Sequence, residues 1–222
     1  MTSIYQQALG ADFARLHPCI QERFSLHSQS GYAFRGTGVM ETLWHGPAYT
    51  LPFLYIGTWR SIMFPEAGAQ VPFTIENYAY VDPLGRETVT WARTFHARRT
   101  RRFDAYMIWS QQRNCIVDYL GTHQHLAVDL DIGVAENGGI RIRSTEQRFY
   151  EGPIAFRFPL LFSGVAEVCE WYDDAAECFR IRVHVSNTRW GKLFGYTGSF
   201  QCERVDPHPP ATLLPHRVEA RE

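Results

Sequence analysis

Residues 126–150, LAVDLDIGVAENGGIRIRSTEQRFY, decide the reading of this chain. Leu126, Val128, Leu130 and Ile132 alternate with polar or small residues, the period of a strand whose two faces meet different surroundings. Asn137-Gly138-Gly139 follows, a run that takes up the positive backbone angles of a tight hairpin at little cost. Residues 140–150 then answer as the partner strand.

The same period continues on both sides. Phe73, Ile75, Tyr78 and Tyr80 mark a strand, Asp82-Pro83-Leu84-Gly85 supplies a turn, and 88–95 returns. Strands over 103–109 and 115–120 follow across a turn at 111–114. Beyond the central hairpin, 165–172 and 179–185 face each other across 173–176, and 193–203 closes the series. Residues 153–164 read as an apolar connection. Near the start, 32–44 looks extended, and Gly36 and Gly38 suggest a bulge or a close backbone approach. Residues 3–16 read as a helix capped by Ser3, with Ile4, Leu9, Phe13 and Leu16 as its apolar stripe. Pro18 ends or interrupts it, with a further turn over 20–24.

So many sequential hairpins predict a mainly β (α+β) chain: an antiparallel β-barrel or half-barrel of about eight to ten strands, closed because closure removes exposed edges. It is expected to be lipocalin-like, with an N-terminal helix and a short helical lid. The alternative is a START-like helix-grip, weakened by the lack of a long C-terminal helix pattern. Residues 1–205 form one β-rich domain in this reading. Residues 206–222, with four prolines and several charges, read as a poorly ordered tail.

The chain has 222 residues, 45% of them hydrophobic and 20% charged, as in a folded domain. Its net charge of -1 gives no global attraction to nucleic acid, which is not an expected partner. Cys19, Cys115, Cys169, Cys178 and Cys202 are widely spaced and odd in number. That argues against a disulfide framework and for reduced thiols in a cytoplasmic protein. The N-terminus lacks the pattern of a secretory signal, and no apolar run approaches the roughly 20 residues of a membrane span. No nucleophile elbow, P-loop or dinucleotide fingerprint is present.

Three constellations stand out. His123 and His125 alternate ahead of Asp129, a spacing that puts all three on one strand face, like a degraded cupin metal motif; His184 is a candidate third histidine. The competing reading is a polar, solvent-facing side opposite the aliphatic one. Glu146, Arg148 and Tyr150 share a face and would anchor an anionic head group, or Arg148 would pair structurally with Glu76 or Glu170. His96-Ala97-Arg98-Arg99-Thr100-Arg101-Arg102 is a basic hairpin tip, either a solvated loop or a contact for lipid phosphates or an acidic partner. Aromatic residues gather in two irregular segments. Phe53, Tyr55, Trp59 and Phe64 lie in 49–64, and Phe156, Phe158 and Phe162 in 153–164. They read as a hydrophobic lid or as core plugs.

Three segments, IYQQALGADFARLHPCIQERF, FTIENYAYVDPLGRETVTWARTF and the long run from GGIRIRSTEQRFY through GKLFGYTGSF, resemble the bacterial domain-of-unknown-function 4166 family. The resemblance covers most of residues 4–203. Its members occur alone or behind a short-chain-type oxidoreductase domain, so the resemblance implies a freestanding accessory domain. It brings no catalytic residues with it.

The first functional expectation is a cytoplasmic binder of an apolar or lipid-like small molecule, with no cofactor. Arg60 or Arg148 would hold a polar head, Tyr150 would lie beside Arg148, and Phe53, Trp59, Phe158 and Trp171 would contact the apolar body. The second is a cupin-like enzyme using a transition metal at His123, His125 and Asp129. The third is an accessory domain whose segment 49–64 docks a protein partner or a membrane surface, placing the protein at the membrane periphery.

Overall fold

The structure is a computed structural model and describes residues 1–158 and 163–222. Among the described residues eleven strands make one antiparallel sheet. They are β1 (Ala33–His45), β2 (Gly68–Val81), β3 (Glu87–His96), β4 (Thr100–Ser110), β5 (Cys115–Leu120), β6 (Leu126–Val134), β7 (Ile140–Glu151), β8 (Ile154–Arg157), β9 (Val165–Asp173), β10 (Cys178–Asn187) and β11 (Gly191–Val205). Pairing of β6 with β7 closes ten of them into a barrel, and β8 is a short ribbon on the end of β7. Neighbours in sequence are neighbours in space, the up-and-down arrangement of the lipocalin-like class. Among the described residues no long helix grips the sheet, which removes the START-like alternative. The ribbon β8 falls inside the expected apolar connection 153–164, whose Phe162 lies outside the described residues.

The strands form where the period-2 pattern places them. Their inward residues make one core that includes Phe73, Phe95, Phe194, Tyr196 and Phe200, with ring centroids 5.0 to 6.3 Å apart. Gly38 marks a close approach: a Cβ there would overlap the Ser199 carbonyl and the Phe200 Cα on β11. The register shift of β1 comes later, between Met40 and Thr42.

Antiparallel order gives the barrel two distinct ends. At one, helices α1 (Ile4–Leu9) and α2 (Pro18–Phe24) plug the opening. Ser3 caps α1 in a reciprocal capping box with Gln6. The expected single helix over 3–16 is split. Gly10, at φ +53°, ends α1 and leads into a tight 3-10 turn. Pro18 opens α2 in its first turn, where a missing N–H costs nothing. At the other end lies α3 (Leu51–Thr58), the short helix expected over the barrel mouth. The segment behind it is pinned to the rim, because Thr122 N–H donates to the Arg60 carbonyl (2.9 Å) and Asp104 N–H to the Ser61 carbonyl (2.8 Å).

The segment 206–222, expected to be poorly ordered, makes specific contacts with the outer wall. Leu213 is buried against Ala33, Tyr78 and Ala92. The Tyr119 and Tyr150 hydroxyls donate to the carbonyls of Arg221 and Glu222.

The plug carries a buried ion pair. Arg23 of α2 donates from Nε to Glu170 of β9 at 2.5 Å, with both side chains almost fully enclosed. The guanidinium also lies 5.2 Å from the centre of the Phe200 ring. Removing one partner of such a pair strands an uncompensated charge. Glu170→Ala is therefore expected to cost about 3–5 kcal/mol in urea unfolding. The double replacement Arg23→Met with Glu170→Leu should recover most of that loss. A single replacement costing under about 1 kcal/mol would show the pair to be energetically idle.

Candidate functional site

Leu126, Val128 and Leu130 point inward and Asp129 and Asp131 outward, so the aliphatic side of β6 faces the barrel interior. Strand β7 begins in the matching phase, with Ile140, Ile142 and Ser144 turned inward. Continued alternation would send Glu146, Arg148 and Tyr150 inward too. It does not continue. Val128 pairs with Gln147 but Leu130 pairs with Ser144, so β7 carries one extra residue in a bulge. The bulge reverses the parity, and Gln147 faces the interior instead.

The interior holds a cavity of about 110 Å³. Its walls are mostly apolar, from Trp91, Phe103, Met107, Leu126, Val128 and Val183, with Ile62 and Met63 on the α3 side. Among the described residues four polar side chains line it: Arg93, Asp118, Ser144 and Gln147. Two of these are occupied in holding the start of β9 region, since Ser144 Oγ accepts from Ala166 N–H (2.7 Å) and Gln147 Nε2 donates to the Gly164 carbonyl (2.5 Å). Arg93 lies 3.9 Å over the centre of the Phe103 ring. It donates to the Phe103 carbonyl (3.1 Å) and to the Tyr196 hydroxyl (3.3 Å). Asp118 is different: it is buried, lines the cavity in the same strand phase as Ile116 and Leu120, and its Oδ1 has no hydrogen-bond partner among the described residues. Burial pushes its carboxyl up to about 7, with the charge of Arg93 and then a backbone hydrogen bond from Tyr106 opposing the rise.

None of the seven residues expected to bind the ligand lines this cavity. Phe53 and Trp59 lie on the outside of the α3 end, 73% and 83% exposed. Arg60 is exposed and faces His123 Nε2 at 2.8 Å. The bulge puts Arg148 on the outer wall, where it pairs with Asp129 (2.6 Å) and Glu146 (2.9 Å) rather than with Glu76 or Glu170. Tyr150 is on the same wall beneath Arg221, whose guanidinium is 4.5 Å from the ring centre. Phe158 joins Phe149 and Phe156 beside β8. Trp171 alternates with the inward Glu170 and Tyr172 and so faces outward on β9.

The expected metal residues are not brought together. Asp129 accepts hydrogen bonds from Arg113 and Arg148. Burial alone would raise its carboxyl, but those two guanidinium groups hold it below the usual range. The His123 and His125 rings stack 5.5 Å apart, and His125 Nδ1 meets Glu151 at 2.8 Å. Burial and then the Arg60 cation push the His123 imidazole down. His184 is on the outer wall of β10, 5.3 Å from the Trp44 ring. Among the described residues no three His, Cys, Asp or Glu side chains are close enough to hold a metal ion.

Arg93 and Asp118 are not among the residues the sequence motifs point to, yet each leaves a signal there. Each is a charge in the inward phase of an otherwise apolar strand face: Val89, Trp91, Arg93, Phe95 on β3, and Ile116, Asp118, Leu120 on β5. The raised carboxyl makes a definite prediction. Above an ordinary value of 3.8, the folded chain keeps a proton that the unfolded chain has lost. The destabilisation by Asp118 is thus absent below about pH 4, grows as pH rises, and is complete above about pH 7. Asp118→Asn should raise stability by about 2–3 kcal/mol more at about pH 8 than at about pH 5. Urea midpoints that shift equally at both pH values would contradict a buried titrating carboxyl here.

Comparison with known proteins agrees with the sequence resemblance. Residues 16–200 match the family model described as Domain of unknown function (DUF4166). The chain is also 34% identical over 204 residues to "Uncharacterized protein YndH" of Bacillus subtilis (strain 168), covering 91% of this chain and 98% of that protein. No solved structure matches it. An up-and-down barrel with a few polar side chains lining its interior cavity is thus joined to a family match over most of its length, and the chain belongs to the DUF4166 family.

Proposed function

We propose that this barrel binds an apolar or lipid-like small molecule with one polar end, enclosed in the interior cavity. The observation behind this reading is the cavity's chemistry: apolar walls, a buried guanidinium and a buried carboxyl with a partner-free oxygen. Of the buried side-chain atoms without a partner among the described residues, Asp118 Oδ1 is the one whose residue lines this cavity, and an unpaired buried polar atom calls for an explanation. A ligand hydroxyl or carboxyl between Arg93 and Asp118 supplies one. Protonated Asp118 donates to it, ionised Asp118 accepts from it, and Arg93 donates in either state. The apolar remainder would lie against Trp91, Met107 and Val128. At about 110 Å³ the cavity is somewhat smaller than the roughly 150 Å³ cavity known to hold benzene, which sets the ligand, or the part of it enclosed, at about the size of a small ring or a short acyl chain.

Hexanoate and hexanol are suitable probes. Both are expected to raise the thermal midpoint of the wild-type protein and to alter the fluorescence of Trp91. Val128→Phe, which fills the cavity from β6, should abolish both effects while the barrel stays folded; Val183→Phe fills it from β10 as a second variant. Probes that leave wild-type protein unchanged, or that act equally on a folded filled variant, would overturn the reading. Native mass spectrometry of gently purified protein then reports the class of ligand carried from the cell.

A further inference from the structure

The α3 end of the barrel is unlike the rest of the surface. Phe53, Ile56 and Trp59 on and just after α3 are 73%, 63% and 83% exposed, and Ile154, Phe156 and Trp190 crop out on the same end. At the opposite end the large exposed apolar side chains among the described residues are Met1, Val81 and Leu84. Leaving so much aromatic surface in water is costly, and such patches mark contacts with other matter. The helix itself is apolar on both sides. Leu54 is buried while Phe53, Tyr55 and Ile56 are not, so packing on the barrel accounts for only part of it.

Charge identifies what the patch meets. Arg98 and Arg99 sit in the β3–β4 turn, and Arg189 and Lys192 in and beside the β10–β11 turn, all exposed. Among the described residues none of these four forms an ion pair. The acids of this end are engaged: Glu66 holds Arg101 (2.7 Å), and Glu151 faces His125 (2.8 Å). At the plugged end, Glu136, Asp174 and Glu177 are exposed. The net charge of -1 therefore hides a polarised molecule, cationic around the aromatic patch. Trp, Tyr and Phe flanked by arginine and lysine are what the headgroup layer of a bilayer accepts, with rings at the boundary and cations among phosphates. A protein partner would require shape complementarity, whereas this surface offers side chains projecting from separate turns.

We infer that the α3 end docks on an anionic lipid bilayer, with Phe53, Ile56 and Trp59 entering the interface and the arginines of the two turns resting on lipid phosphates. No helix among the described residues is long and apolar enough to cross a membrane, and the contact inferred is at the surface. The docking stands independently of cavity binding. If both hold, the end of the barrel covered by α3 faces the reservoir of lipid-like ligands.

Sedimentation with vesicles tests this on the full chain. Phosphatidylcholine vesicles with phosphatidylglycerol should bind the wild-type protein, with a blue shift of tryptophan emission, and pure phosphatidylcholine vesicles should bind it far less. Arg98→Glu with Arg99→Glu should weaken binding at least about tenfold, since each basic residue near an anionic surface contributes a measurable share. Phe53→Ser with Trp59→Ser should remove the binding. Both pairs are at exposed positions, and unchanged circular dichroism and thermal midpoints confirm that the variants fold. Absence of binding by wild-type protein, equal binding to both vesicle types, or binding untouched by either pair of replacements overturns the inference. So does capture of a protein partner through this patch without any vesicle binding. Failure of the hexanoate experiment leaves this one unaffected, because neither Phe53 nor Trp59 lines the cavity.

Discussion

The ladder between β6 and β7 is the constraint on which the rest of the molecule depends. Without it the sheet would be an open ribbon with two free edges, which attract other chains. With it, ten strands form a ring and the inward side chains meet from all directions. The bulge in that ladder has a second consequence. One extra residue in β7 exchanges the faces of everything after Ser144, sending Arg148 outward to Asp129 and Gln147 inward. An electrostatic cluster of Arg113, Asp129, Glu146 and Arg148 thereby forms on the wall instead of inside the cavity.

The interior is nevertheless not purely apolar. Two guanidinium groups and two carboxyls lie within it, in different states of satisfaction. Arg23 and Glu170 neutralise each other where the N-terminal helices plug the barrel. Arg93 is held by a carbonyl, a hydroxyl and an aromatic face. Asp118 forms no ion pair among the described residues, and its Oδ1, like Arg23 Nη2 and Glu170 Oε2, has no hydrogen-bond partner there. A buried pair can be understood as structural, since each charge answers the other. Asp118 has no such ion-pair partner among the described residues, and it lines the cavity together with Arg93, which gives the cavity a polar pole within apolar walls.

The two ends divide the labour of closure. One is sealed from within by α1 and α2, whose apolar residues are continuous with the core. The other is covered by α3 and the segment behind it, which reach the cavity through Ile62 and Met63 while leaving their largest rings outside. Those rings share their end of the barrel with Arg98, Arg99 and Arg189, which form no ion pair among the described residues. The aromatic residues that read as a cavity lid in the sequence are therefore mostly surface, and the cavity is lined by residues of the strands.

The strands themselves were legible because period-2 alternation is a local property: β5 and β6 have the bounds that alternation predicts, and most others differ by a few residues. Ser3 as a cap and the hairpin at Asn137-Gly138-Gly139 were legible for the same reason, since each depends on backbone chemistry within four residues. The inward charges at Arg93 and Asp118 were written in the alternation too, as breaks in an apolar face. What lay beyond the sequence was the phase of each strand relative to the ring. A face is inside or outside only by virtue of its partners, and one bulge reverses it without changing the alternation of the residues that follow. Tertiary structure alone therefore decided that Arg148 and Tyr150 face outward, that His123, His125 and Asp129 do not converge, and that Phe53 and Trp59 face away from the cavity.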